Sequence, residues 1–167
     1  MAHGPRYRVA RRRRREGKTD YRKRIRHLKS GLPRAVIRKS TRNINVQFIE
    51  YDPRGDKVIC TASGFDLEGF GWKSTTSNTT AAYLTGYLAG KRAKNAGIEK
   101  AVLDIGLHTP TKGSRVFASL SGLLDAGIDL PHDKEILPSE ERIRGEHLGE
   151  DMKNQFDAVK AKLEGEK

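Results

Sequence analysis

The sequence predicts an α/β layer fold: a three-stranded antiparallel meander followed by α-β-α, with helices packed on a mixed sheet. Three observations carry this reading. Residues 43–51, NINVQFIEY, place Ile44, Val46 and Phe48 on one face and Asn45 and Gln47 on the other, the period of a half-buried strand. Residues 78–96 read as a helix that stops at Gly97-Ile98, and the run KAVLDI (100–105) follows it. A helix between strands implies a crossover, so this fourth strand returns parallel to one of the first three. A second helix, 114–126, carries Val116, Phe117, Leu120, Leu123 and Leu124 and also stops at a Gly-Ile pair, a glycine cap with an apolar partner.

The elements follow in order. Residues 1–17 have almost no apolar content and cannot offset the entropy of ordering, so they are expected to be disordered until bound. A short helix over 19–29 has Thr19 or Asp20 as its cap and Tyr21, Ile25 and Leu28 on one stripe, with Gly31 and Pro33 ending it. Strands over 34–39 (RAVIRK), 43–51 and 57–62 (KVICTA) are joined by short loops, the second of them the turn DPRGD, which makes them neighbours in an antiparallel meander. The Gly/Ser/Thr/Asn-rich stretch 63–80 holds Phe65, Phe70 and Trp72. In the helix 78–96, Ala82, Gly86 and Gly90 recur every fourth residue, and small residues there are expected to let the helix lie close on the sheet. After Pro138 the chain is charged and helix-prone, with Met152, Phe156, Val159 and Leu163 on one face. Three regions result: a basic arm (1–33), an α/β core (34–130) and a charged helical C-terminal extension (131–167).

Charge is distributed unevenly. Of the 33 Lys and Arg residues, 17 fall in residues 1–42 against only Glu16 and Asp20, a net +15 there and −3 over the remainder of a chain whose total is +12. A cationic arm on a nearly neutral body points to a polyanionic partner. Cys60 is the single cysteine, so an intramolecular disulfide is excluded and a reducing compartment is expected. No apolar run reaches membrane-spanning length, and the arm has neither a signal-peptide apolar stretch nor the apolar anchors of a membrane-surface segment.

Catalytic chemistry finds little support. The loop 106–114 (GLHTPTKGS) lies between a strand and a helix, as a phosphate-binding loop does. Set against G-x-x-x-x-G-K-[ST], only Gly106 and Lys112 match, and Pro110 removes an amide donor. Lys112, Arg115 and the helix start at Ser114 remain candidates for holding an RNA phosphate. Asp104 at a strand end is expected to cap a loop or pair with a lysine, because Glu50, Asp52 and Asp56 cluster about a turn that need not approach it. The five histidines are scattered without ligand spacing. No catalytic residue, metal site, cofactor or small-molecule substrate is expected.

The arm has a physical reading of its own. Guanidinium groups stay charged and meet phosphate oxygens with paired donors, and each phosphate neutralised releases condensed counterions. Five adjacent arginines, Arg11–Arg15, repel one another too strongly to be surface decoration. Candidate RNA contacts are Arg6, Arg8, Arg11, Arg12, Arg13, Arg14, Arg15, Lys18, Tyr21, Arg22, Lys23, Arg24, Arg26 and Lys29, continuing onto the sheet at Arg34, Arg38, Lys39 and Arg42. Tyr21, Phe70 and Trp72 are candidates for stacking on unpaired bases, with core packing the commoner fate of such rings. The absence of helix-turn-helix and zinc-finger patterns leaves groove-reading of DNA unsupported and favours structured RNA.

Specific motifs carry a resemblance. RRRREGKTDYRKR (12–24), PRAVIRKSTRNINVQFIEY (33–51), TTAAYLTGYLAGKRAKNAGIEKAVLDIGL (79–107) and GSRVFASLSGLLDAGIDLPH (113–132) resemble the 5S-rRNA-binding protein family of the large ribosomal subunit, number eighteen in bacterial naming and five in eukaryotic naming. Bacterial members usually read Asp-Arg-Gly where this chain has Asp104-Ile105-Gly106, and Tyr-His-Gly-Arg-Val where it has Gly113-Ser114-Arg115-Val116. With the long arm and tail, this implies an archaeal-type member. The resemblance implies a non-enzymatic, cytoplasmic constituent of the large subunit that binds 5S rRNA and helps attach it to 23S rRNA in the central protuberance, beside neighbouring large-subunit proteins. The alternatives are a nucleotide-binding enzyme using the 106–114 loop and a general nucleic-acid chaperone.

Overall fold

A computed structural model describes residues 4–165; the first three residues of the arm and the last two of the tail lie outside it. The meander is present as β1 (Arg34–Lys39), β2 (Ile44–Glu50) and β3 (Lys57–Ser63), and the returning strand is β4 (Val102–Asp104). The sheet order is β3-β2-β1-β4. β1 pairs antiparallel with β2, Ile37 opposite Val46 and Ala35 opposite Phe48, and parallel with β4, Ala35 opposite Leu103. The expected parallel partner of the fourth strand is therefore β1.

The arm holds one helical turn, α1 (Arg12–Arg15), and the helix α2 (Tyr21–Leu28), capped by Asp20, whose carboxylate accepts the Arg22 and Lys23 amides. α1 buries nothing and has far too few residues to be stable alone in water. The stripe expected of α2 is not a buried one: Ile25 is exposed and no residue of the helix is buried.

α3 (Thr79–Asn95) crosses from β3 to β4 and α4 (Arg115–Asp125) follows. Both end as their Gly-Ile pairs predict. Gly97 and Gly127 take φ of +80° and +93°, and Ile98 and Ile128 donate back to the Ala93 and Leu123 carbonyls at 3.0 and 3.2 Å; the left-handed turn is open to glycine without steric cost. α3 packs on β2 and β3 and α4 on β1. Residues 80–90 of α3 are buried without interruption.

The small-residue stripe serves a different contact from the one expected. A Cβ on Gly86 would overlap the Ser119 carbonyl, one on Gly122 the Tyr83 carbonyl, and one on Gly90 would lie 2.5 Å from the Ala126 Cβ. The glycines bring α3 against α4 backbone to backbone, and Ser119 Oγ donates to the Ala82 carbonyl across that seam at 2.9 Å.

The glycine-rich stretch contains a 3-10 helix (Gly64–Phe70) opened by a Ser63/Asp66 capping box. Trp72 is 2% exposed, its indole donating to the Thr75 carbonyl, so it is a core residue and is removed from the base-stacking candidates. The tail forms α5 (Glu140–Arg144) and α6 (Glu150–Glu164). Phe156, Val159 and Leu163 join the core, with the Phe156 ring 5.6 Å from that of Tyr83.

Candidate nucleic-acid interface

The cationic arm presents its side chains to solvent. Arg6, Arg8, Arg11, Arg12, Arg13, Arg14, Arg15, Lys18, Arg22, Lys23, Arg26 and Lys29 are all exposed. Their internal partners are few and weakly held: Glu16 meets Arg12 at 3.8 Å and Lys18 at 3.0 Å, exposed pairs that contribute little. Arg13 donates to Thr19 Oγ1 at 2.7 Å. The Arg11 guanidinium lies 4.8 Å from the centre of the Tyr21 ring, a cation–π contact that already occupies one face of that half-buried aromatic.

The sheet cations divide. By the two-residue period of a strand, Arg34, Val36 and Arg38 project from the face opposite Ala35 and Ile37. Arg34 is only 4% exposed, clamped between Asp56 Oδ2 at 2.6 Å and Asp104 Oδ2 at 3.0 Å. Its guanidinium is committed inside the protein, which corrects its placement among the surface RNA contacts. Arg38, half-exposed, donates to the Asp104 carboxylate at 3.1 Å and to its carbonyl at 2.7 Å. Arg42 is exposed, and the Lys39 amide donates to His108 Nε2 at 3.3 Å. Burial, with Lys39, Arg38 and Arg115 nearby, holds His108 below its ordinary pKa, which favours the neutral, accepting ring.

Asp104 also accepts the Gly106 amide at 2.8 Å, so the expected capping role holds, and its charged partners are arginines rather than the expected lysine. Asp56, whose distance from Asp104 the sequence leaves open, is brought close to it: Arg34 bridges the two. The register contains this proximity, since Arg34 faces Ile49 and Ile49 faces Val58, which sets the start of β3 level with the start of β1 across β2. Between these groups and the arm lies a cleft of about 540 Å³, lined on one side by Arg13, Lys18, Tyr21, Lys23, Arg24 and His27 and on the other by Arg34, Arg38, Asp56 and Asp104.

Asp104 supplies an acid-sensitive part of stability. Burial pushes its carboxyl up, but Arg38 and the Gly106 amide outweigh that and hold it below the ordinary 3.8. A depressed folded value stabilises the fold above the unfolded pKa, and that contribution is lost as pH falls through the folded value. Asp104→Asn is expected to cost about 3–5 kcal/mol near neutrality, since it leaves Arg34 and Arg38 short of a partner. Urea titrations are expected to show the gap to wild type narrowing from about pH 5 downward; a constant gap would contradict this.

The loop 106–114 does not present a phosphate cradle. The Gly113 amide donates to the Ile136 carbonyl at 2.9 Å and the Ser114 amide to the Thr111 carbonyl at 3.2 Å. Arg115 donates to the Ser77 carbonyl at 2.6 Å, which ties it to the body, whereas Lys112 meets Glu135 at 2.9 Å in a pair with both side chains exposed. Among the described residues no group of three or more His, Cys, Asp or Glu side chains could hold a metal ion, and no helix is long and apolar enough to cross a membrane.

The family described as ribosomal large subunit proteins 60S L5 and 50S L18 matches residues 5–101 and 93–133, the arm through α4. The chain belongs to this family. It is therefore a structural component of the large ribosomal subunit and not an enzyme. Members named large ribosomal subunit protein uL18 are similar along most of its length. That of Aeropyrum pernix is 57% identical over 151 residues, 90% of this chain and 71% of the relative. That of Korarchaeum cryptofilum is 58% identical over 148 residues, 89% and 76% of the two chains. That of Halobacterium salinarum strain R1 is 53% identical over 150 residues, 90% and 82%. These relatives support the archaeal-type reading of the chain.

Proposed function

We propose that this ribosomal protein binds 5S rRNA and helps attach it to 23S rRNA in the central protuberance of the large subunit, in the cytoplasm and beside neighbouring large-subunit proteins. The observation that carries the reading is the unbroken row of exposed guanidinium groups from Arg11 to Arg15 on a chain of a ribosomal family. Arg6, Arg8, Lys18, Arg22, Lys23, Arg26 and Lys29 extend that row; on the body Arg38 lines the cleft facing the arm, and Lys39, Arg42 and Lys112 add further positive charge. Arg34 and Arg115 serve the body instead, and Arg24 is shared between the two roles. Phosphate contacts from the arm position the protein, and the folded shape of the RNA supplies most of the selectivity.

The test is competitive. The full chain is expected to bind 5S rRNA at least about tenfold more tightly than duplex DNA of equal length at about 150 mM salt, and to remain with 5S rRNA in large-subunit particles after a high-salt wash. Equal affinity for both polymers would favour the general chaperone.

A further inference from the structure

Helix α2 meets the body through charge rather than apolar burial. None of its residues is buried, and Ile25 is 54% exposed. Its link is Arg24, whose Nη2 donates to both Asp56 oxygens at 2.8 and 2.9 Å. One turn on, His27 Nδ1 lies 3.9 Å from Asp104 Oδ2. The receiving carboxylates are built by the core. Asp56 precedes β3, Asp104 ends β4, and the buried Arg34 of β1 bridges them. Asp56 Oδ2 thus accepts from both Arg34 and Arg24, while Oδ1 accepts from Arg24 alone and faces the arm. An isolated helix of eight residues is not stable in water, so docking is what keeps α2 helical.

We propose that Asp56 and Asp104, bridged by Arg34, form an electrostatic latch that holds α2 against the outer face of the sheet and so aims the cationic arm. Both acids are positioning residues for RNA binding. This role rests on the RNA-binding reading above, whereas the latch itself is measurable without RNA. The consequence runs against simple charge counting: neutralising Asp56 raises the net charge, yet it weakens RNA binding because the arm loses its fixed direction. The side chains of Arg24 and Asp56 are 30% and 23% exposed, so salt reaches the pair, and the screening length falls from about 10 Å at 0.1 M to about 3 Å at 1 M.

Hydrogen–deuterium exchange on the full RNA-free chain tests the latch. Amides 21–28 are expected to exchange about tenfold faster at 1 M than at 0.05 M salt, the effect of losing one charge-assisted hydrogen bond, while α3 amides stay unchanged. Asp56→Asn should show the fast exchange already at low salt and bind 5S rRNA several-fold more weakly; Asp56→Glu should restore both. Exchange in α2 that is indifferent to salt overturns the latch, and this arm of the experiment needs no variant to fold. RNA binding by Asp56→Asn as tight as wild type overturns the positioning role. Wild-type chain that ignores 5S rRNA while α2 responds to salt overturns the RNA reading and leaves the latch standing.

Discussion

Removing residues 1–17 flattens the salt dependence of 5S rRNA binding. Seven arginines lie in that segment, and those in the described residues are exposed. Each phosphate contact contributes about 0.7–0.9 to the slope of log affinity against log salt. If all seven meet phosphates, the slope falls by about 5–6, so about three decades of the affinity lost between 50 and 200 mM salt disappear with the segment. The truncated chain should keep its fold, because α1 buries nothing, and its thermal midpoint should match that of the intact chain. Titrations at four or five salt concentrations, read by filter retention or fluorescence anisotropy, measure both slopes. Parallel lines for the two chains would place the phosphate contacts elsewhere.

The second large effect is on stability. Gly122→Ala is expected to destabilise the body by about 3 kcal/mol or more, because the added methyl group meets the Tyr83 carbonyl of a packed helix rather than a side chain that can move aside. Gly86→Ala should behave alike against Ser119. Helix propensity alone predicts the opposite sign, a gain of about 1 kcal/mol for alanine over glycine, so the two explanations separate cleanly. In a chain of this size each kcal/mol moves the thermal midpoint by about 2–4 °C, giving a drop of about 6–12 °C. Gly55→Ala, with open space around it, is the control and should stay within about 0.5 kcal/mol of wild type. A Gly122→Ala protein as stable as wild type would mean that the α3–α4 seam opens without cost.

Elements set by neighbouring residues were legible. The strand alternation in 43–51 and the Gly-Ile stops after α3 and α4 each depend on a few adjacent residues, and they appear in the fold where they were expected. The spacing of Met152, Phe156, Val159 and Leu163 likewise described a helix with one apolar face. That this face closes over Tyr83 depends on how α5 and α6 approach α3, which helical spacing does not contain. The four-residue repeat of α3 was visible too, but its partner was not: a run of small side chains permits close approach to any flat neighbour, and only the position of α4 selects one.

The candidate site divides in the same way. The cationic character of the arm is a property of composition, and guanidinium groups keep their charge in any fold. Whether a given cation faces solvent is not such a property. Arg34 and Arg38 are four residues apart on one strand, yet the first is sealed between two carboxylates and the second remains half-exposed. The partners of Arg34 lie 22 and 70 residues away along the chain. Local spacing reveals hydrophobic period, capping and charge density because those act over a turn or two of backbone. Ion-pair choice and burial depend on register across β3-β2-β1-β4, and they exist only once distant segments are brought together and water is excluded between them.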